Sequence, residues 1–451
     1  MNKITKYLSI LLAAASLLGI AGCTQAQRSS ANGRSGNTTT QRGSATDQPN
    51  NSTTRPRGAA TLSADLMRGV SANSVKSKEA DIAFIESMAD FSIELFKRSI
   101  TDRENSLISP LSVTLALAMT ANGADGETLA QMEKLLGGGI PLAELNEYLS
   151  GYTGALPNEK KSKLEIANSI WFRNDEGRLR VLPDFLQSNA DYYGAAAFSS
   201  AFDAQTLADI NNWVKTNTDG MIEKIIENID ESQVMYLINA IVFDAEWQDV
   251  YYRENIREGE FTDITGAVRN VDFMHSDESI YLDDGLATGF IKPYNGGGYS
   301  FAALLPNEGV SIEDYIESLT GSGFLDTLNK AQSVTVYASM PKFEYEYGIE
   351  MSDALKELGI PDAFDGGKAD FSKMADSAFG GLNIDIVLHK TFISVDELGT
   401  KAGAVTMVAM ADGAAYDPEE PKVVHLDRPF VYAIIDNATS LPIFIGTLMT
   451  V

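Results

Sequence analysis

The sequence predicts a mixed α+β fold built around one large core. The chain has 451 residues, of which 44% are hydrophobic, and this is enough to bury the core of a large domain. A nearly continuous apolar run over Met235–Phe243 has the length of a strand that is covered on both faces. Residues Asp81 to Ile100, in contrast, place their apolar side chains on one broad helical face. The two patterns together predict helices packed on a sheet.

Further elements follow the same two patterns. Ser109 precedes Pro110, which is typical of a helix start, because serine caps the first turn and proline fits the first helical position. The helix that follows, to Met119, is almost wholly apolar and is therefore predicted to be central. Helices are also predicted over residues 182–193 and 311–330, and strands over 164–172, 334–347, 427–434 and 441–446.

An unusual segment follows the predicted buried strand at residues 386–397. Beyond that strand, alternate residues are small or β-branched and uncharged, while Lys401 falls in the other phase. Because side chains alternate between the two faces of a strand, such a segment could enter a sheet with its small side chains inward. A flexible Gly/Ala-rich loop beside a hairpin is the simpler interpretation. The alternating residues are Thr400, Ala402, Ala404, Thr406 and Val408.

Residues 1–22 are predicted to be a signal peptide. Lys3 and Lys6 precede an apolar run over residues 7–18, which is shorter than the roughly 20 residues that a membrane span needs. The run leads into Ile20–Cys23, which resembles a bacterial lipobox. Cys23, the single cysteine of the chain, is therefore predicted to carry a lipid.

Residues 23–72 are predicted to form a disordered tether behind that lipid. Residues 24–58 are rich in Ser, Thr, Asn, Gln and Gly and have too few apolar side chains to bury a core. The protein is accordingly predicted to be exported and anchored in the bacterial cell envelope, at the outer membrane or the cell surface. Its folded domain would lie outside the cytoplasm.

Charge and cysteine content exclude several classes of function. The net charge is −27, and residues 1–58 carry seven basic residues and one acid, which leaves −33 for residues 59–451. Such an acidic domain is not expected to bind nucleic acid. Because Cys23 has no partner cysteine, the chain has no internal disulfide.

The sequence predicts neither an enzyme nor a metal or cofactor site. Its three histidines, His275, His389 and His425, are far apart in sequence. There is no His-Glu-x-x-His motif, no Gly-x-Ser-x-Gly motif and no glycine-rich phosphate loop. The 62 acidic residues include no pair that stands out as a catalytic acid and base.

An ordered set of motifs runs from about residue 80 to the C-terminus. The motifs lie at Asn105–Ser112, Gly123–Thr128, Lys292–Tyr294, Leu304–Pro306, Ala369–Met374, Asp427–Ile434 and Leu441–Gly446. In its order along the chain, this set resembles the serpin family of serine protease inhibitors, although no single motif decides the resemblance. The domain is therefore expected to span residues 73–451.

The resemblance implies a serpin fold, with a large central β-sheet, further sheets, about eight or nine helices and an exposed reactive loop. It implies an inhibitor that a protease cleaves as a substrate and that then traps the protease as a covalent acyl-enzyme when the loop enters the main sheet. A monomer without cofactor is expected, with target proteases and, through the lipid, a membrane as its partners. The implied hinge of the loop consists of Glu397, Gly399, Thr400, Ala402, Gly403, Ala404, Val405 and Thr406.

The cleaved bond is expected near the middle of this loop. In the family the hinge glutamate usually lies seventeen residues before the bond, which implies cleavage between Gly413 and Ala414 if Glu397 is that residue. Cleavage after Met410, Ala411 or Ala414 remains open. Since residues 402–421 contain no Lys or Arg, elastase-like or subtilisin-like proteases are favoured over trypsin-like ones, and cysteine proteases stay open.

The resemblance also implies a polar cluster beneath the point where the main sheet opens. Asn239 interrupts an otherwise apolar strand, and a buried amide needs hydrogen-bond partners. Its expected neighbours are Ser109, Ser112 and His389. Two other functions remain open: a non-inhibitory serpin that carries a ligand or acts as a chaperone, and a surface binding lipoprotein with an incidental loop.

Overall fold

The structure is a computed structural model that describes residues 63–101, 103–174, 179–230, 233–378, 380–400 and 420–451. These residues belong to one unit, residues 58–451, by their mutual contacts. Short 3₁₀ helices occur at Arg253–Asn255 and Pro361–Phe364. Nine α-helices lie in the described residues: α1 Ile82–Ser99, α2 Pro110–Ala121, α3 Gly126–Gly137, α4 Leu142–Ala155, α5 Pro183–Tyr193, α6 Ala204–Asn217, α7 Ile312–Ser318, α8 Gly321–Asn329 and α9 Ser352–Leu358.

Eighteen strands in the same residues form three sheets. A seven-stranded sheet has the order β1-β5-β3-β6-β15-β14-β12, and a nine-stranded sheet has the order β16-β11-β8-β9-β10-β17-β18-β2, with β7 beside β8. The third sheet pairs β13 with β4. The strands are β1 Ala64–Asp65, β2 Ser106–Ile108, β3 Ser162–Arg173, β4 Leu179–Val181, β5 Ala196–Ser200, β6 Met235–Glu246, β7 Ile256–Thr262, β8 Val268–Asp283, β9 Ala287–Pro293, β10 Tyr299–Pro306, β11 Gln332–Pro341, β12 Phe343–Glu350, β13 Ala375–Ser377, β14 Ile386–Val395, β15 Gly399–Thr400, β16 Lys422–His425, β17 Phe430–Asp436 and β18 Pro442–Leu448.

This mixed architecture confirms the predicted α+β class. Helix α2 begins as predicted: the Ser109 side chain accepts a hydrogen bond from the Ser112 N–H, and Pro110 occupies the first turn. Every residue of α2 is buried, which explains why its sequence has no polar face. Helix α1 likewise begins after Asp81, whose carboxylate accepts from the Phe84 N–H at 3.0 Å.

The central strand β6 buries both of its faces, as its continuous apolar run predicts. One set of alternate side chains, with Leu237, Ile241 and Phe243, belongs to the main core of the domain. The other set packs in a second cluster on the opposite face of the seven-stranded sheet, against helix α6. The members of this second cluster include Trp171, Ile210, Val214, Tyr236, Ile238 and Ala240.

Two predicted elements are in fact divided, each by one junction. Residues 334–347 form β11 and β12, which belong to different sheets, and Lys342 is the single residue between them. The prediction of one strand was wrong because the alternation of side chains continues through the change of sheet. Residues 311–330 form α7 and α8, because Leu319 is extended and Thr320 starts the second helix by accepting from the Gly323 N–H.

Two predicted boundaries, the start of the domain and the end of one strand, also need correction. Residues 63–72 were assigned to the tether, but β1 pairs with β5, and Ser63 binds Asp209 through its N–H and its hydroxyl. The folded domain therefore begins before residue 73. The strand predicted over residues 386–397 ends at Val395, where the chain turns back into β15. Among the described residues, no helix is long and apolar enough to cross a membrane.

Candidate functional site

The candidate site is an opening between strands β6 and β14 of the seven-stranded sheet. These strands run parallel and pair directly from Tyr236 with Ile386 to Ala240 with Lys390. Beyond Ala240 and Lys390 the two strands no longer pair with each other. Five residues further along, β15 lies between the two strands and pairs antiparallel with both. We call the space between the last direct pair and β15 the opening.

Strand β15 consists of the first two residues of the predicted insertable segment. Gly399 lies opposite Glu246, and Thr400 lies opposite both Ala245 and Val395. A Cβ atom at Gly399 would stand 2.0 Å from the carbonyl oxygen of Ala245, so that only glycine fits so close to β6. The position of β15 thus depends on the absence of a side chain at residue 399.

Thr400 points into the core. It is 2% exposed, and its hydroxyl contacts the hydroxyl of the fully buried Tyr294. Directly opposite residues of an antiparallel pair share a face, and Ala245 is also a member of the main core. The phase that contains Thr400 is therefore the inward one.

The turn before β15, residues 396–398, is held by backbone hydrogen bonds from the segment after β6. The Trp247 N–H donates to the Leu398 carbonyl at 2.8 Å, and the Tyr251 N–H donates to the Glu397 carbonyl at 2.9 Å. The Trp247 indole Nε1–H donates to the Asp396 carbonyl at 2.8 Å. We call residues 396–398 the hinge turn, since they lead the chain from β14 into β15.

The hinge turn also has an internal cap and one ion pair. The Asp396 carboxylate accepts from the Leu398 N–H at 2.8 Å and from the Gly399 N–H at 3.2 Å. The Glu397 carboxylate lies 2.6 Å from the Lys342 ammonium, and this hydrogen bond holds the pKa of Glu397 below its usual value. Lys342 is the residue at which the chain passes between the two large sheets.

At the other end of the opening, a buried histidine joins the two strands. His389 of β14 is 1% exposed, and its Nδ1 lies 2.7 Å from the Asn239 side-chain Oδ1 on β6. Its Nε2 accepts from the Ser109 N–H at 3.0 Å, so that the proton of the neutral ring lies on Nδ1. Burial lowers the pKa of His389 to about 3, which keeps the ring neutral at physiological pH.

Asn239 completes this polar cluster. Its Nδ2 donates to the Ser112 carbonyl and to the Asn168 side-chain Oδ1, both at 2.5 Å. All the polar atoms of the Asn239 side chain are thus paired, as burial in a sheet requires. The two serines contribute through their backbones, and within the described residues the Ser112 hydroxyl has no hydrogen-bond partner.

The structure brings together the four residues of the predicted polar cluster and the first three of the predicted hinge. It adds residues that the sequence reasoning missed: Asn168, Tyr251, Tyr294 and Lys342, and the role of Trp247. These contacts join segments that are distant in sequence. The one signal in the sequence was an asparagine within each of two predicted apolar strands, and these two residues lie opposite each other on β3 and β6. Outside the described residues lie Cys23, Ala402, Gly403, Ala404, Val405, Thr406, Met410, Ala411, Gly413 and Ala414.

Two of the three histidines approach each other away from the opening. The rings of His275 and His425 are 6.1 Å apart between centroids, and the Ser339 hydroxyl contacts Nδ1 of His425. Ser339 is 1% exposed, so that its oxygen cannot reach a substrate carbonyl. Among the described residues, no group of three or more His, Cys, Asp or Glu side chains is placed to hold a metal ion.

Comparison with known proteins gives one consistent match. A family model described as serpin (serine protease inhibitor) matches residues 86–451. Leukocyte elastase inhibitor A of Mus musculus is 28% identical over 79% of this chain and 96% of that protein. Serpin-Z2A of Triticum aestivum is 31% identical over 76% of this chain and 89% of that protein.

Solved structures resemble the chain more closely. The crystal structure of tengpin, a thermophilic serpin, in the native state is 56% identical, covers 87% of this chain and all of that one, and has a TM-score of 0.83. Tengpin in the latent state is 53% identical, covers 83% of this chain and all of that one, and has a TM-score of 0.74. The described residues are thus more similar to the native state of that protein.

Proposed function

The chain belongs to the serpin family, which generally comprises protease inhibitors rather than enzymes, and we propose that this member traps its target by cleavage and insertion of the loop after β15. One observation carries the proposal. Gly399 and Thr400 already lie between β6 and β14, antiparallel to both, in the place where an added strand would begin. Each further residue that enters would pair with two strands at once.

Continuing the two registers of β15 predicts how the loop would lie after insertion. On both sides, the sixth residue after Thr400 comes opposite the polar cluster: Thr406 would stand between Asn239 of β6 and His389 of β14. Those two residues are direct partners before insertion. The hydrogen bond between them must therefore break before the loop can pass, while Ala402 and Ala404 fill the inward positions above it.

Trapping requires that insertion outruns hydrolysis of the acyl-enzyme. A protease that cleaves the loop is bonded to its new C-terminus, and a strand of residues 399–413 would carry that end roughly 50 Å across the domain at about 3.3 Å per residue. Insertion runs downhill only if the uncleaved fold is higher in free energy than the inserted one. Small side chains in the inward phase lower the barrier, since no charge has to be buried.

The residues around the expected cleavage site favour proteases that accept small or aliphatic side chains. These are elastase-like or subtilisin-like enzymes, and the name of the mouse relative, leukocyte elastase inhibitor A, agrees with this choice. The bond between Gly413 and Ala414 is the first candidate, with cleavage after Met410, Ala411 or Ala414 as alternatives. A monomer is proposed, since trapping needs one inhibitor and one protease.

The decisive experiment mixes the protein with elastase-like, subtilisin-like, chymotrypsin-like and trypsin-like proteases and separates the products on a denaturing gel. A detergent-stable adduct with an elastase-like or subtilisin-like protease is expected, and the mass of the released C-terminal peptide gives the cleaved bond. The Ser-to-Ala variant of the reactive protease cannot form an acyl-enzyme and should give no adduct. If every protease of the panel cleaves the loop and none forms an adduct, the proposal that the protein traps elastase-like or subtilisin-like proteases is contradicted.

Thermal unfolding of the cleaved protein separates the remaining functions. An inserted loop adds a strand to the middle of a sheet, so that the cleaved inhibitor should resist heating far better than the intact one. A non-inhibitory serpin whose loop does not insert, or a binding lipoprotein with an incidental loop, should melt at the same temperature before and after cleavage. This measurement needs only a nicking protease and not the physiological target.

We further propose that Cys23 carries a lipid which anchors the protein in the bacterial cell envelope. The support lies in the sequence, since Cys23 follows an apolar run and the segment Ile20–Gly22. Expression in a lipoprotein-processing bacterium with an alkyne-labelled fatty acid tests this. The wild-type chain should become labelled and fractionate with membranes, whereas Cys23→Ser should remain unlabelled.

A further inference from the structure

A buried ion pair lies behind the hinge turn. Lys292 of β9 is 2% exposed and Glu278 of β8 is 8% exposed, and Lys292 Nζ lies 2.9 Å from Glu278 Oε1. Removing two charges from water costs much of what their attraction returns, so that apolar residues of similar shape would often serve stability equally well. Stability alone therefore gives no reason for an ion pair at this position.

The ammonium of Lys292 also holds two aromatic rings. It lies 4.3 Å from the ring centroid of Tyr251 and 5.5 Å from that of Trp247, within the range of cation–π attraction. The Ser276 hydroxyl donates to Glu278 Oε1 at 2.6 Å, and its oxygen lies 3.3 Å from the Tyr251 hydroxyl. The pair thus fixes the tyrosine ring at its face and at its hydroxyl.

The two rings belong to the residues that bind the hinge turn. Tyr251 and Trp247 donate their backbone N–H groups to the carbonyls of Glu397 and Leu398, and the indole of Trp247 donates to that of Asp396. Lys292 therefore contacts both residues that donate hydrogen bonds to the three carbonyls of the hinge turn. Among the described residues, Lys292 is the one Lys or Arg that is buried.

We propose that the Lys292–Glu278 pair positions the hinge turn, and so sets how readily the segment after β15 enters the sheet. This inference rests on the proposed function, because it assigns a rate-setting part to residues outside the opening. Lys292 and Glu278 are positioning residues, because they act on the hinge turn through Tyr251 and Trp247.

An ion pair suits this task better than an apolar pair. The ammonium attracts each ring face along a preferred direction, whereas an aliphatic side chain packs against a ring without fixing its orientation. If the charges are removed, the indole N–H and the two backbone N–H groups hold their carbonyls less firmly. The hinge turn should then open more often, and the loop should insert more often without cleavage.

Amide hydrogen exchange of the full-length protein tests the proposal directly. The variant Lys292→Met with Glu278→Gln removes both charges, keeps the shapes and leaves no lone buried ion. We expect about tenfold faster exchange of the Trp247 and Tyr251 amides, and a change of about twofold or less at Val431 in β17, a strand of the nine-stranded sheet that does not pair with β15. Unchanged exchange at both amides would overturn the proposal.

A destabilised control separates positioning from a general loss of stability. Leu145→Ala removes a fully buried side chain from α4 and should lower the thermal midpoint without touching the hinge turn. At equal loss of thermal midpoint, the control should leave the exchange of Trp247 and Tyr251 in the same ratio to Val431 as in the wild type. A control that loosens both amides as much as the double variant does would overturn the proposal.

Exchange and trapping report on different claims. If the wild type forms no adduct with any protease but the double variant loosens the hinge turn, the proposed function fails and the positioning role stands. If the wild type forms adducts, the double variant should lose trapping capacity faster during incubation without protease. Equal rates of this loss would overturn the rate-setting role.

Discussion

The two ends of the opening between β6 and β14 are closed in different ways. At one end, Gly399 and Thr400 lie between the strands, and the proposed insertion would only have to extend them. At the other end, the strands pair directly, and the hydrogen bond from His389 to Asn239 would have to break before an inserting loop could pass. In the proposed mechanism, the first end would thus control how insertion begins, and the second would control whether it continues.

The largest effect is expected from a charge at the first end. Thr400→Arg places a guanidinium where the side chain is 2% exposed and faces Tyr294. Burying an unpaired charge costs several kcal/mol, and a penalty of about 3 kcal/mol slows insertion roughly a hundredfold. The variant should be cleaved as a substrate, and gel quantification of adduct against cleaved product measures the change.

Thr400→Ser is the matched control for this variant. It keeps a hydroxyl that can contact Tyr294 and adds no charge, so that adduct formation should remain close to that of the wild type. Undiminished trapping by Thr400→Arg would mean that residue 400 does not have to stay inside the sheet, and loop insertion would lose its main support.

A smaller effect is expected from breaking the second end. His389→Asn removes the ring that pairs both the Ser109 N–H and the Asn239 side-chain Oδ1. Each buried polar group left unpaired costs about 1–3 kcal/mol of stability. The strands should separate more easily. The variant should therefore lose trapping capacity during storage faster than the wild type, as timed samples assayed with protease would measure.

Thr391→Val provides the comparison on the same strand. Its hydroxyl donates to the Leu107 carbonyl at 2.8 Å, toward β2 and not toward β6. The loss of this bond should lower the free energy of unfolding without speeding the loss of trapping capacity. If both variants lose capacity equally fast, the direct join between β6 and β14 has no special part in insertion.

The same histidine predicts a pH dependence of stability. In the unfolded chain His389 has a pKa near 6.5, while burial lowers the pKa to about 3 in the folded protein. Between these values only the unfolded chain binds the proton, so that stability falls as pH falls, by about 1.4 kcal/mol per pH unit, and is constant above pH 6.5 for this group. Denaturant titrations of the wild type and of His389→Asn from pH 7 to pH 4.5 should show their stability difference shrinking toward low pH.

Local sequence patterns predicted the helices and strands well where one side-chain periodicity holds along the whole element. The alternation from Thr400 onward indicated which phase faces inward, because a strand has period two wherever it lies, and Thr400 is indeed inward. The apolar run of β6 likewise identified the central strand. Residues 334–347 show the limit, since alternation persists through Lys342 while the chain changes sheets.

Contacts across long sequence distances could not be predicted from pattern alone. A lysine such as Lys292 would normally be placed toward solvent, but it is buried in β9, and its carboxylate partner comes from β8, 14 residues earlier. Asn168 supports Asn239 because β3 and β6 place them opposite each other. Which residues meet in this way depends on strand order and register, and the sequence does not display either.

The smallest expected effect concerns the ion pair at the first end of the opening, Lys342 with Glu397. Both side chains are partly exposed, 27% and 38%, so that solvent screens their attraction, and we expect a coupling of about 0.3–1 kcal/mol in a double-mutant cycle of Lys342→Met and Glu397→Gln. Denaturant unfolding of the four proteins measures it.

A coupling of this size would mean that backbone hydrogen bonds from Trp247 and Tyr251, and not the ion pair, hold the hinge turn in place. In that case Glu397→Gln should leave the exchange of the Tyr251 amide nearly unchanged, although that amide donates to residue 397. A coupling above about 2 kcal/mol, with faster exchange at Tyr251, would instead mean that the ion pair between Lys342 and Glu397 holds the hinge turn in place. The first end of the opening would then be held by an ion pair, and the second end by the buried imidazole of His389.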